Sequence, residues 1–398
     1  MAVSRSAFRA VTGMLATSVL LAGCASSDAN PPDADPPAST VAQAAGPLPG
    51  SPPQAPPAPV CGDPAAEVAA MSTRDKLAQL LMVGVTGAAD ARAVIDSQHV
   101  GGIMIGSWTD LSMLNGPLAD IAANAGPLPL AVSVDEEGGR VSRLASVIGR
   151  QPSPRELAAT DTPEQVYQIA LDRGRKMRGL GFTIDFAPVV DVTDAPDDTV
   201  IGDRSFGADP ATVTDYAGAY ARGLRDAGLL PVLKHFPGHG HGSGDSHAGS
   251  VVTPPLADLQ TNDLVPYRTL TTQGPVGVMV GHMEVPGLTG SEPASLSPAA
   301  YALLRSGDYG GPPFGGVVFT DDLSSMKAIS DRFGVADAVL RSLQAGADVA
   351  LWITTTEVPA VLDRLEKAVA AGELSSSAVD ASVTKLAAMK GPSPRCGG

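Results

Sequence analysis

The stretch PVLKHFPGHGHGSGDSH, Pro231 to His247, starts as an apolar run and ends in charged and imidazole groups. Pro231–His235 has the length and apolarity of a strand buried on both faces. Pro237 and the glycines at 238, 240, 242 and 244 then rule out continuing as strand or helix. A buried strand that delivers Lys234 and His235 at its C-terminal end and opens into a polar loop is an architectural sign. Its repetition along the chain decides the fold.

Seven further runs share the pattern: Leu80–Val85, Gly102–Gly106, Leu130–Asp135, Thr183–Pro188, Gly277–His282, Gly316–Thr320 and Asp348–Trp352. Amphipathic helical patterns lie between them, among them Pro163–Leu180, Pro210–Ala227, Val335–Ala345 and Val358–Ala371. Thr162-Pro163 and Asp209-Pro210 read as helix starts, and Gly181 and Gly228 as stops. One helix is expected ahead of the first strand, over 64–79, and one at the end, over 376–389. Eight buried strands alternating with helices predict an α/β fold with a parallel sheet closed as a single (β/α)8 TIM-type barrel. No internal repeat and no second folded domain is evident.

In such a barrel the active site lies where the strands end. The third run ends in Asp135-Glu136-Glu137-Gly138-Gly139-Arg140. The fourth leads past Asp185 and Asp191 to Asp203-Arg204, the fifth ends in Lys234-His235, the sixth in His282, and the seventh in Asp321-Asp322. The polar groups therefore gather on one rim.

Four of the six histidines, His235, His239, His241 and His247, fall in the opening stretch. Zinc binding fits the residue types, but Pro237 and the glycines preclude a helix that would align two imidazoles, and Lys234 adds a cation. A glycine-rich surface loop explains the glycines and not the Lys-His pair. A catalytic loop explains both. Asp245, two residues before His247, can orient the imidazole and raise its pKa, suiting it to move protons near neutral pH. Asp321 is a candidate carboxylate nucleophile. The two together form the minimal kit for retaining glycoside cleavage, although the pattern alone leaves other barrel chemistries open. Asp322 reads as a helix N-cap.

The chain carries a net charge of −15 without a basic stripe, which argues against nucleic acid as a partner. Arg5 and Arg9 precede an apolar run that ends in Leu-Ala-Gly-Cys at Cys24. This resembles a bacterial lipoprotein signal. Residues 1–23 are expected to be a lipoprotein signal peptide, and 24–60 a lipidated Cys24 followed by a Pro/Ala-rich tether. Residues 61–398 form the barrel domain. The expected location is the outer face of the cell membrane. Cys61 and Cys396 bracket the barrel and are expected to form a disulfide in an oxidising exterior.

Five ordered motifs go further: DEEGGRVSRL at 135–144, IDFAPVVDV at 184–192, GDRSFG at 202–207, KHFPGHG…DSH at 234–247 and VVFTDDLSSMKAI at 317–329. Together they resemble family 3 glycoside hydrolases, specifically the single-domain β-N-acetylglucosaminidases that act on peptidoglycan fragments. The resemblance implies Asp321 as nucleophile and His247 as acid/base with Asp245 as its partner. It also implies sugar contacts from Asp135, Arg143, Arg204, Lys234 and His235. His239 and His282 would shape the site. It implies no metal, no cofactor and a monomer acting on peptidoglycan-derived saccharides. A phosphorylase on the same scaffold and a sugar-binding lipoprotein are the competing readings. His241-Gly242 stands where the family usually has Asp-Thr, which removes a carboxylate and adds flexibility beside the dyad. Glu136 stands where Gln is common, and Ser142 also departs from the family.

Overall fold

The structure is a computed structural model that describes residues 63–392 and 396. The expected signal peptide, the tether, Cys24 and Cys61 lie outside the described residues. Eight parallel strands close a barrel: β1 (Leu81–Val85), β2 (Gly102–Ile105), β3 (Ala131–Val134), β4 (Ile184–Asp185), β5 (Leu230–Phe236), β6 (Gly277–Val280), β7 (Val318–Asp322) and β8 (Val349–Trp352). Closure runs through β1 and β8, with Leu81 opposite Ala350 and Val83 opposite Trp352.

All eight expected strands are present, with shifted ends. β4 keeps only two of the expected six residues; beyond Asp185 a single bridge, Val189 to Lys234, continues the pairing with β5. β7 starts two residues later than expected and takes in both aspartates, so Asp321 lies on the strand itself. The single helix expected over 64–79 is two, Pro64–Ala70 and Thr73–Gln79. Met71 is extended, and the Ser72 hydroxyl accepts from the Asp75 amide to start the second helix. A serine that can cap competes with continuing the helix.

The long helices follow their local signals. Pro163–Gly179 opens with a reciprocal Thr162/Gln165 capping box, and Pro210–Asp226 opens under Asp209. The two pack closely because Gly223 leaves no side chain between them; an added Cβ would lie 2.5 Å from the Tyr167 carbonyl oxygen. Inside the barrel, Phe186 and Phe319 meet edge-on at 5.6 Å. Valine, leucine and isoleucine fill most of the remaining core, each contributing about 1.5–3 kcal/mol when fully buried.

Candidate active site

At the C-terminal end of β3 the chain runs Asp135-Glu136-Glu137, and the three acids do different work. Glu136 is fully buried and pairs with Arg173, with further hydrogen bonds from the Ser142 hydroxyl and, at 2.7 Å, the Leu144 amide. It holds the following hairpin, Glu136–Gly138 against Val141–Ser142, onto the barrel. The two departures from the family pattern at 136 and 142 are thus partners of each other.

Glu137 is the centre of the charge cluster. It accepts a two-pronged grip from Arg204, at 2.7 and 2.8 Å, and the Lys234 amine at 2.6 Å. The same amine lies 2.6 Å from Asp135. Burial works against ionising Glu137, but Arg204 and Lys234 overcome it and hold its carboxyl well below the usual range. Burial likewise opposes the charge on Lys234, and Asp135 and Glu137 reverse that. Charged groups paired this way hold rigid positions around a cavity.

The four clustered histidines divide among three aspartates. His235 Nδ1 lies 2.6 Å from Asp191, and its Nε2 lies 3.5 Å from Arg204. His241 Nδ1 is 3.0 Å from Asp263 and His247 Nδ1 is 2.8 Å from Asp245. His239 donates its backbone amide to Asp191, while its buried Nδ1 has no partner among the described residues. Among the described residues no cluster of three or more His, Cys, Asp or Glu is arranged to hold a metal ion. Of the four loop glycines, only Gly238 has a positive φ, at 132°. Gly240 is needed for a different reason: a Cβ there would come 2.0 Å from the Val192 carbonyl oxygen.

Asp321 faces the same space from β7. Burial would raise its pKa, but His282, His235, the Asp322 amide and Lys234 bring it down to about 2, so it is a carboxylate at neutral pH. His282 has its Nε2 2.8 Å from the Asp322 carbonyl oxygen and its Nδ1 2.7 Å from the Ser295 hydroxyl. A carbonyl only accepts, so Nε2 carries the proton and Nδ1 accepts from Ser295. This neutral ring pins the backbone beside Asp321. Asp322 caps the turn over 322–325 through Ser324 and Ser325; it is not the cap of a helix.

A cavity of about 180 Å³ brings together Asp135, Arg143, Arg204, Lys234, His235, His247 and Asp321, with Glu137 and His239 also in its wall. Every residue expected on sequence grounds to touch sugar or carry chemistry lines it, except Asp245, which stands behind His247. Arg143 makes no side-chain hydrogen bond or ion pair to the described residues, so its guanidinium is free for a ligand. A neighbouring cavity of about 600 Å³ shares Arg204, His239 and His247 and adds Asp245 and Arg140. A separate cavity of about 940 Å³ opens at the opposite barrel end among Leu130, Ile184, Leu230 and Val317 and holds none of these groups. The sequence places Glu137 on the rim without assigning it a role, and it does not single out Asp263. Glu137 is hidden in a run of three acids, and Asp263 lies in no motif.

Comparison with known proteins agrees with this geometry. Residues 72–389 match the glycosyl hydrolase family 3 N terminal domain. The chain is 74% identical over 339 residues to Beta-hexosaminidase LpqI of Mycobacterium tuberculosis, a match covering 85% of this chain and 87% of that protein. The crystal structure of a glycosyl hydrolase of the GH3 family from Mycobacterium smegmatis superposes with a TM-score of 0.81 at 78% identity, covering 82% of this chain and 99% of the other. A family 3 β-N-acetylglucosaminidase from Paenibacillus has a TM-score of 0.75 at 35% identity, covering 81% of this chain and 62% of the other. With the closed barrel and the acidic, cation-lined cavity at its strand ends, these matches make the chain a member of glycosyl hydrolase family 3 and a glycoside hydrolase.

Proposed function

We propose that the protein is a retaining exo-β-N-acetylglucosaminidase: it releases terminal GlcNAc from GlcNAc–MurNAc fragments of peptidoglycan during wall turnover. The observation that carries the reading is one cavity lined both by an ionised Asp321 and by an imidazole held by its own carboxylate. The activity printed for the relatives, Beta-hexosaminidase and β-N-acetylglucosaminidase, supports the substrate class.

In the first step Asp321 attacks the anomeric carbon, and the bond to the leaving oxygen breaks. His247 gives that oxygen its proton, with Asp245 stabilising the imidazolium. In the second step His247 takes a proton from water, whose oxygen displaces Asp321, so configuration is retained. Asp135, Lys234, Arg204, His235 and Arg143 hold the sugar hydroxyls and amide through charged and neutral hydrogen bonds. The small cavity suits one sugar ring, which favours exo cleavage. The larger space beside it contains the Asp245–His247 pair and not Asp321, and so suits the leaving group. Lipidation at Cys24 and the tether would place this chemistry on the outer face of the membrane.

The test is hydrolysis of a chromogenic β-N-acetylglucosaminide by a soluble part comprising residues 61–398, with the anomeric proton followed by NMR. Asp321→Asn should lose at least about 10³-fold in kcat, and the first product should be the β anomer. An α product, a sugar 1-phosphate formed only when phosphate is added, or an active Asp321→Asn variant would overturn the reading.

A further inference from the structure

We propose that His241 and Asp263 are a positioning pair that fixes the base of the loop carrying Asp245 and His247, and so sets how well the proton reaches the leaving group. This rests on the reading of His247 as the proton donor.

The His247 side chain is 62% exposed and that of Asp245 44%. Little packing aims the dyad, so the loop's backbone must. That backbone is rich in glycine, with Gly240, Gly242 and Gly244 before the dyad and Gly249 after it, and glycine has the most conformational freedom to lose. Two bonds close the neck: the Ser243 amide to the Val252 carbonyl, and the Val252 amide to the Ser243 hydroxyl, both at 2.9 Å. Both lie within the loop, whose returning end is held to the body by the pairing of Val251–Val252 with Met283–Glu284; among the described residues the outgoing end, ahead of the dyad, has no such strand pairing. The tip reaches the body through the Ala328 amide, which donates to the Ser246 carbonyl at 3.1 Å, and through Ser250, 3.0 Å from Glu284.

On the approach to the dyad, one side chain ties the loop to the barrel. Among the described residues, His241 is the only member of 240–249 whose side chain hydrogen-bonds to a side chain outside the loop. Its partner Asp263 is 2% exposed and sits between the helices Leu256–Thr261 and Val265–Leu270, a rigid anchor. The chain also presses on Asp263 at Gly238, where an added Cβ would come 2.5 Å from Asp263 Cβ. Burial raises the Asp263 pKa and His241 opposes that rise, so the buried carboxylate gains from the imidazole. Among the described residues, no hydrogen bond or ion pair joins Asp321, on β7, to this pair. Breaking the pair should therefore displace the proton donor and leave the nucleophile in place.

The difference shows in the leaving group. A dinitrophenolate departs as a stable anion with little need of a proton, whereas an alkoxide requires one. The experiment compares kcat/KM for dinitrophenyl and alkyl β-N-acetylglucosaminides in wild type, His241→Ala, His241→Asn, Asp263→Asn and His247→Ala, with melting checked for each. His241→Ala should slow the alkyl glycoside about tenfold, less than the roughly 10²-fold or greater loss in His247→Ala. The dinitrophenyl rate should stay near wild type. His241→Asn, which keeps a donor for Asp263, should recover part of the loss. Adding Asp263→Asn to His241→Ala should cost little more, as expected of two residues acting as one. Because His241 lies on the surface loop, its variants test the pair even if Asp263→Asn folds poorly. Equal losses on both glycosides, or none, would overturn the pair's role. If His247→Ala itself slowed both glycosides alike, the proton-donor reading of His247 would fall, and this inference with it.

Discussion

Two aspartates in one barrel are driven to opposite charge states. Asp321 is surrounded by His282, His235 and Lys234 and stays ionised down to about pH 2. Asp185, fully buried on β4, accepts from the Glu136 amide at 3.0 Å, and its other oxygen is bare; burial pushes its pKa well above the usual range, helped by Glu136 and Asp135. The fold therefore favours the neutral form of Asp185. Between the ordinary carboxylate pKa and this raised one, the native state holds more protons than the unfolded state. Stability contributed at this site is then full at acid pH and declines as pH rises. Asp185→Asn keeps the acceptor oxygen and removes the charge. Its urea midpoint should match or exceed wild type at neutral pH, with the gap widening from pH 4 upward. A midpoint well below wild type at pH 7 would show that Asp185 is needed as a carboxylate. Sequence motifs identify both aspartates as rim or strand residues. They do not reveal which is charged, because that depends on neighbours from other strands.

Strands and loops were easier to read than their ends. Continuous apolar runs identified all eight strands, since strands buried on both faces need no alternation. The runs overstate β4 and misplace β7, because hydrogen-bonding register decides where pairing stops and composition does not. The histidine loop shows the same gap between pattern and cause. Its glycines look like requirements for unusual backbone angles, yet Gly240 serves close packing against Val192. Backbone on both sides leaves nothing soft to yield, so Gly240→Ala should displace the segment between Lys234 and His247. Loss of activity should be greater than about 10²-fold, the cost of misplacing catalytic groups by roughly 1 Å, with a lower melting temperature. An active, stable Gly240→Ala variant would mean that the strand-five loop tolerates movement the mechanism forbids.

At the scale of the whole barrel, the first and last described helices meet at one place. Helix Pro64–Ala70 packs against the final helix Ser376–Lys390, as barrel closure between β1 and β8 requires. Asp63 caps the first of these helices, and Cys61 is only two residues upstream in the sequence, a reach of about 7 Å. Cys396 follows the last helix by six residues. The proposed Cys61–Cys396 bond would thus tie together ends that packing already brings near, and it would spare the barrel from unzipping at its seam. A native bond of this kind should stabilise by about 2–5 kcal/mol, mainly by restricting the unfolded chain. The soluble part isolated from an oxidising compartment should show no free thiol, and reduction should add two hydrogens to its intact mass. Cys61→Ser should lower the melting temperature and leave kcat unchanged, because Cys396 is not among the residues lining the site. Two free thiols in the secreted protein would remove the staple and leave helix packing alone to hold the seam.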